Sequence, residues 1–113
     1  MIEKTVLDFL ESELKVPVFL EVPAKDEPAT YIILEKTGGT EENRIRQSSI
    51  AVQTIAGSLY EASELSERAK EAMDGIISLP EIARCELASG PYNFTDTSTK
   101  RRRYQAIYDL VHY

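Results

Sequence analysis

The sequence predicts one α+β domain over residues 1–113, with a small, mainly antiparallel sheet of about five strands and two helices packed on one face. Two segments place apolar residues at helical spacing, and five others carry the β-branched and aromatic residues typical of strands. Their order is helix, three strands, helix, two strands, with no repeat, low-complexity tract or linker. At 113 residues the chain is long enough for one core without disulfides or metal ions.

The first half of the chain predicts one helix and three strands. The helix is expected over residues 2–14, and Pro17 ends it. Its apolar stripe consists of Ile2, Val6, Phe9, Leu10 and Leu14. Strands are expected over 18–22, 31–36 and 44–56. The last two form a long hairpin with a protruding tip at 37–43, where the pair Gly38-Gly39 would supply residues able to adopt a positive φ.

The second half begins with the clearest local signature in the chain. Ser58 and Glu61 have the spacing of a capping box, in which both side chains satisfy free N–H groups of the first helical turn. The stripe that follows is rich in alanine: Leu59, Ala62, Leu65, Ala69, Ala72, Met73 and Ile76. We expect fraying at Gly75 and an end before Pro80. Strands follow over 82–87 and 103–113, separated by Gly90-Pro91 and a polar loop over 95–102.

Composition excludes several functional classes. A net charge of −6 and a pI near 4.8 argue against a dedicated DNA-binding protein, which needs a basic face. No apolar run approaches the roughly 20 residues of a membrane helix. The first residues lack the segments of a secretory signal, so synthesis in the cytoplasm is expected. One local exception is the run from Lys100 to Arg103, which could contact nucleic acid or an acidic protein, or be only a solvated loop tip.

The residue types that carry catalysis or hold metal ions are sparse. His112 is the single histidine and Cys85 the single cysteine, and neither stands in a recognisable nucleophile motif. They cannot supply a zinc site, and the acidic pair Glu41-Glu42 lacks the spacing of a calcium loop. The pair Gly38-Gly39 lacks the lysine and glycine spacing of a phosphate loop. We therefore predict no enzymatic activity, no metal and no cofactor.

The order and spacing of several short segments carry a resemblance to a known family. After the first helix come Val16-Pro17-Val18, Thr37-Gly38-Gly39, an Asn43-Arg44 tip, Ile50-Ala51-Val52-Gln53, an alanine- and glutamate-rich helix, Gly90-Pro91-Tyr92 and Arg103-Tyr104-Gln105-Ala106. This pattern, which spans nearly the whole chain, resembles the tail terminator (tail completion) proteins of long-tailed bacteriophages and prophages.

The resemblance implies a structural role. Proteins of that family cap the growing tail tube as a ring, often a hexamer, stop its polymerisation and offer a docking surface to the head connector. The expected partners are therefore other copies of the chain, the major tail tube protein and the head-tail connector, with DNA passing through the lumen. The expected location is the host cytoplasm during assembly and then the head-proximal end of the tail. Another neck or head-closure protein and a host-encoded ligand-binding module remain open alternatives.

We expect two segments to contact partners, the hairpin tip and the polar loop. The interface residues predicted there are Gly38, Gly39, Glu41, Glu42, Asn43, Arg44, Arg46, Lys100, Arg101, Arg102 and Arg103. Both segments are expected to be disordered in a free subunit and ordered on binding, since glycine, threonine and charged residues form no core of their own. A ring of identical copies also needs two different adhesive surfaces on each copy. The hairpin and the terminal strand are candidates for one, and the alanine-lined helix for the other.

Overall fold

A computed structural model describes residues 1–99 and 101–113. Its helices are α1 (Ile2–Leu14) and α2 (Leu59–Asp74), followed by a 3-10 turn (Ile76–Ser78). Its strands are β1 (Val18–Phe19), β2 (Tyr31–Glu42), β3 (Ile45–Ala56), β4 (Ile82–Asn93) and β5 (Arg102–His112). They form one sheet in the order β1-β2-β3-β5-β4, in which only β1 and β2 run parallel. The predicted α+β class is confirmed.

Both helices pack on the same face of this sheet, as predicted. The core combines the apolar stripes of the helices with alternate strand residues, because successive side chains of a strand point to opposite faces. Its members from the sheet include Ile32, Leu34, Ile50, Val52, Ala106, Tyr108 and Leu110. Those from the helices include Ile2, Val6, Leu10, Leu14, Leu65, Ala69 and Met73. Full burial of each large apolar side chain contributes about 1.5–3 kcal/mol.

The ends of α2 follow the local sequence signals. The Ser58 hydroxyl accepts a hydrogen bond from the Glu61 backbone N–H at 3.1 Å, which confirms the serine half of the capping box. The α-helical turns stop at Asp74, and Gly75 begins the 3-10 turn. The Thr54 hydroxyl donates to the Ala62 carbonyl at 2.9 Å. This bond holds the first turns of α2 against β3.

Two strand boundaries in the first half differ from the prediction. The first strand covers only Val18–Phe19, not residues 18–22. The segment expected to be a loop tip continues β2 to Glu42, and the chain reverses at Asn43 and Arg44, whose φ values are 51° and 68°. Positive φ at both central residues defines a type I′ turn, the tightest hairpin connection. The assignment of positive φ to Gly38-Gly39 is therefore wrong, and so is the expectation that this segment is disordered in a free subunit.

The strand β4 runs six residues beyond the predicted end, from Leu87 to Asn93. Its pairing with β5 shifts register in three places, the last of them around Gly90 and Pro91. Proline cannot donate a ladder hydrogen bond, but β4 is an edge strand and has no neighbour on its outer side in the described part of the sheet. The Gly90-Pro91 pair therefore interrupts the ladder without ending the strand.

Candidate functional site

The predicted interface residues fall into two groups at opposite ends of the sheet. Arg46 at the start of β3 lies opposite His112, whereas Ala56 at its end lies opposite Arg102. Ten residue steps separate these rows, which is roughly 33 Å along the strand. The molecule measures 43 × 26 × 25 Å, so the β2–β3 turn and the β4–β5 loop occupy the two ends of its long axis. They form two sites, not one.

At the turn end the exposed side chains carry both charges. The Arg46 guanidinium lies 3.5 Å from the Glu41 carboxylate, with both side chains more than half exposed. Such a pair contributes little to stability. Glu42, Asn43 and Arg44 are exposed at the tip itself. This end therefore presents a two-stranded hairpin with side chains of both charges.

At the loop end the basic run is divided among different partners. Arg101 forms an ion pair with Glu27 at 2.7 Å. Arg103 donates to the Phe94 carbonyl at 2.8 Å and lies 5.1 Å from the centre of the Phe94 ring. Lys100 lies outside the described residues. Of the three arginines that are described, only Arg102 is exposed with no bonded partner among the described atoms, so the run does not act as one patch.

Short-range hydrogen bonds shape the loop before this run. The Asp96 carboxylate accepts from the backbone N–H and the hydroxyl of Ser98, at 2.9 and 2.7 Å, which lowers the pKa of Asp96. The Asn93 side chain accepts in the same way from Thr95. These turns are local side-chain substitutes for ladder hydrogen bonds. The described residues of this loop thus have a defined turn conformation, and its disorder in a free subunit stays a prediction.

The sheet face opposite the helices, which we call the open face, consists of cross-strand rows. One row is Thr40, Gln47, Val111 and Arg84, and the next is Gly38, Ser49, Asp109 and Glu86. Towards the loop end follow Glu35, Ala51, Ile107 and Ser89, and then Ile33, Gln53, Gln105 and Tyr92. Its margin near β1 carries a second apolar cluster, formed by Tyr31, Ile33, Ile55 and Phe19. On the two central strands, β3 and β5, polar residues flank the apolar pair Ala51 and Ile107 on either side along the strands.

A chain of hydrogen bonds crosses the open face from β3 to β4. Gln53 donates to Gln105 at 2.8 Å, and Gln105 donates to the Tyr92 hydroxyl at 2.7 Å. Gln53 in turn accepts from Arg103 at 3.3 Å. The glutamines are only 7% and 8% exposed, so these bonds satisfy amide groups that would be costly to bury unpaired. They fix the spacing of three strands at the loop end of the face.

A shallow trough lies on the open face near the turn end. It has a volume of about 210 Å³ and is lined by residues of β2, β3 and β5, among them Gly38, Thr40, Ser49 and Asp109. The Ser49 hydroxyl donates to the Asp109 carboxylate at 2.6 Å. A Cβ added to Gly38 would have no atom within 4 Å, so the glycine leaves the trough open.

The two edges of the sheet differ. The edge strand β1 pairs only with Ile32 and Ile33, so the outer side of β2 from Leu34 to Glu42 has no strand neighbour among the described residues. The opposite edge, β4, is interrupted by its three register shifts and by Pro91. Bulges and proline hinder strand addition to an edge. The molecule therefore offers one edge better suited to pairing than the other.

The helical layer carries the negative charge of the molecule. The helix α1 has four carboxylates and one lysine, and α2 has five carboxylates, one lysine and one arginine. The helices together thus account for a charge of −6, which equals the net charge of the whole chain. The sheet and connections are balanced overall. The protein is therefore electrostatically two-sided.

The single cysteine, Cys85, and the single histidine, His112, lie in surroundings that do not activate them for nucleophilic or base chemistry. Burial raises the pKa of the Cys85 thiol to about 11, which leaves little thiolate at neutral pH. His112 is 4% exposed, and its Nε2 lies 2.8 Å from the Ser48 hydroxyl. Burial also lowers the pKa of His112. Within residues 1–99 and 101–113, no group of three or more His, Cys, Asp and Glu side chains could hold a metal ion.

Sequence reasoning missed the polar residues of the open face. Ser49, Gln53, Gln105 and Asp109 were not among the predicted interface residues. A signal for them exists, because Gln47, Ser49 and Gln53 alternate with the apolar residues of the same strand. What the sequence alone does not give is the register that aligns them with β5.

Comparison with known proteins assigns no family to the chain. Neither a scan against protein-family models nor a search of curated proteins gave a match. In the described part of the chain, no helix is both long and apolar enough to cross a membrane.

Proposed function

We propose that this protein is a tail terminator of a long-tailed bacteriophage or prophage. It caps the tail tube as a ring of identical copies, of which six is the number common in that family. It stops tube polymerisation and provides the docking surface for the head connector. The observation that carries the proposal is the pair of unlike ends and unlike edges on one sheet. The order of segments that resembles the terminator family supports the same assignment.

The difference between the edges favours ring formation over a two-fold dimer. A ring uses a heterologous contact, in which one surface of each copy meets a different surface of the next. Such a contact needs two distinct adhesive regions. The outer side of β2 beyond Ile33 and the edge of β4 are two such regions on opposite sides of the sheet. The β2 edge, which has one register shift of its own, can pair with a strand, whereas the β4 edge contributes side-chain contacts.

The side-chain chemistry favours a role through contacts. The thiol of Cys85 has a raised pKa, and the His112 ring is buried against Ser48. Neither group is poised to act as a nucleophile or base. The protein works by shape and adhesion, with no bond-making step and no cofactor.

The acidic helical layer provides a rationale for the passage of DNA. In a ring of six, the carboxylates of α1 and α2 repeat six times around the axis. Where this layer faces the channel, it repels the DNA phosphates and prevents the genome from adhering to the wall. Assembly takes place in the host cytoplasm, and the finished ring belongs to the head-proximal end of the tail.

Polymerisation of the major tail tube protein tests the proposal. Tube subunits are allowed to assemble with and without this protein, and tube length and end structure are measured by negative-stain microscopy. We expect short tubes with a ring at one end, and binding of connector rings to that end only. An unrelated acidic protein of similar size serves as the control.

Two results would oppose the assignment. Tubes of unchanged length without rings would overturn it. Binding to the connector with no effect on tube length would instead identify another neck or head-closure protein, which shares the adhesive surfaces but not the stop function.

A further inference from the structure

We propose that the open face receives the β4–β5 loop of a neighbouring copy, with Arg102 of that copy pairing with Asp109 in the trough. This inference rests on the self-association in the proposed function, and it names the contact. It is a heterologous contact, since the donor and acceptor lie on different parts of each copy.

The acceptor is an acidic position that the chain does not neutralise. Asp109 lies directly opposite Glu86 in the β4–β5 pair, and like charges in that position destabilise a sheet. The Arg84 guanidinium compensates Glu86 at 2.5 Å. No cation contacts Asp109 in the described part of the molecule, and its hydrogen bond from Ser49 holds the carboxylate in the trough. A third carboxylate, Glu35, occupies the next row of the same face. This half of the open face therefore favours a positively charged occupant.

The shape of the trough suits an inserted side chain. Gly38 is the β2 residue of the row that contains Asp109, and its φ is not in the left-handed region. The chain's own packing does not require glycine there, since a Cβ would meet nothing within 4 Å. Glycine in a strand interior costs about 0.5–1 kcal/mol relative to alanine. A residue that weakens the strand but leaves about 210 Å³ free is consistent with space kept for a partner.

The donor is the arginine that its own chain leaves available. Arg101 is bound to Glu27, and Arg103 is bound to Phe94. Arg102 is exposed and makes no ion pair with the described residues. Its register opposite Ala56 places its side chain on the helix side of the sheet. Asp109 lies on the other face, seven residue steps or roughly 23 Å further along β5. Only an Arg102 from another copy can therefore reach the trough.

A charge-swap experiment tests this contact. The variants Arg102→Glu, Asp109→Arg and the double variant are compared with wild type by sedimentation velocity, and all four are scored for tube capping. Each single substitution places like charges at the contact, so we expect self-association to weaken about tenfold or more. The double substitution restores opposite charges and is expected to return to within about threefold of wild type. An equimolar mixture of the two single variants is also expected to associate. In the mixture, the unchanged Arg102 of one variant meets the unchanged Asp109 of the other, and the two substituted positions also carry opposite charges.

Two further variants separate the contact from general damage to the fold. Asp109→Asn keeps an acceptor for Ser49 and removes only the charge, and Gly38→Val fills the trough. Both are expected to weaken association while thermal unfolding stays cooperative. Single variants that associate like wild type would overturn the inference, as would a double variant that fails to recover.

Self-association and tube capping are measured separately, so the Arg102–Asp109 contact and the terminator function can be judged independently of each other. If the single variants self-associate normally and cap tubes, the Arg102–Asp109 contact is wrong and the terminator function stands. If wild type self-associates through this contact but never caps tubes, the contact stands and the function falls. If wild type forms no assembly either alone or at tube ends, both are wrong.

Discussion

Arg101 and Glu27 form a bidentate ion pair between residues that lie 74 positions apart in the chain. The guanidinium Nε and Nη2 atoms contact the two carboxylate oxygens at 2.7 and 3.1 Å. The Tyr31 hydroxyl donates to the same carboxylate. The pair thereby fastens the connection between β1 and β2 to the loop between β4 and β5. It engages one arginine of the basic run and anchors the loop immediately before Arg102, the first residue of β5.

The first prediction concerns the acid response of Glu27. The hydrogen bond from Arg101, followed by that from Tyr31, lowers the pKa of Glu27 from 4.5 to about 2. A carboxylate with a lowered folded-state pKa contributes stability above its unfolded pKa and loses that contribution as the pH falls. We therefore expect wild type to lose stability between pH 4.5 and about 2, and Glu27→Gln to lose less. Urea unfolding across this range measures the difference. Glu42→Gln, at the exposed turn, serves as the control, and identical slopes for wild type and Glu27→Gln would contradict the prediction.

The second prediction concerns His112 at milder pH. Burial, reinforced by the charges of Arg46 and Lys36, lowers the pKa of His112 below 6.5. The unfolded chain therefore takes up a proton below pH 6.5 before the folded chain does, so stability falls as the pH decreases through this range. In His112→Gln, which keeps a polar partner for Ser48, we expect this decrease to disappear. Urea unfolding at pH 7 and pH 5.5 tests it, well above the range of Glu27. A decrease of equal size in the variant would rule out His112 as its source.

The third prediction separates two adjacent glycines. Gly38→Val is expected to stabilise the isolated protein by about 0.5–1 kcal/mol, since the new side chain enters open space and favours the strand. Gly39→Val is expected to destabilise it by about 1 kcal/mol, because its Cβ would lie 3.0 Å from the Gln47 carbonyl oxygen. Chemical denaturation of both variants provides a matched comparison. Equal effects would show that the hairpin backbone is not held as described.

The fourth prediction concerns Gly90 in β4. Its φ of 85° lies in the left-handed region, and a Cβ there would come within 2.5 Å of the Gln105 carbonyl oxygen. We expect Gly90→Ala to cost at least roughly 1–3 kcal/mol from the backbone conformation alone. The control is Gly57→Ala, where the nearest atom is 3.7 Å away and belongs to the flexible Glu61 side chain. A thermal unfolding midpoint for Gly90→Ala equal to that of Gly57→Ala would refute the prediction.

Local sequence signals succeeded where neighbouring residues decide the structure. The helical spacing of Ile2, Val6 and Leu10 predicted α1, and Ser58 marked the start of α2. They failed at Gly38-Gly39 and Gly90-Pro91, which were expected to lie outside the strands. In both places the strand continues beyond the glycine by pairing with a long neighbouring strand, although the register shifts there, and tertiary pairing outweighs intrinsic preference. The turn formed instead at Asn43 and Arg44, where the register of β2 and β3 leaves two residues unpaired.

The candidate site shows the same division. Sequence reasoning identified the charged tip and the basic run, because both are contiguous in the chain. It could not pair Arg101 with Glu27 or place Asp109 in the same row as Gly38, because those proximities depend on which strands are neighbours. Residue spacing carries information about one strand's two faces, but not about its register with another.

The amino-acid sequence by itself determined the α+β class, the two amphipathic helices, the start of α2 and the acidic character of the chain. Periodicity and capping depend only on residues close together in the sequence, and composition does not depend on the order of the residues at all. The tertiary structure alone decided that the two predicted interface segments lie at opposite ends, that the basic run is divided and that a trough opens beside Asp109. These features arise when β5 inserts between β3 and β4, because only that pairing aligns residues distant in the chain across one sheet.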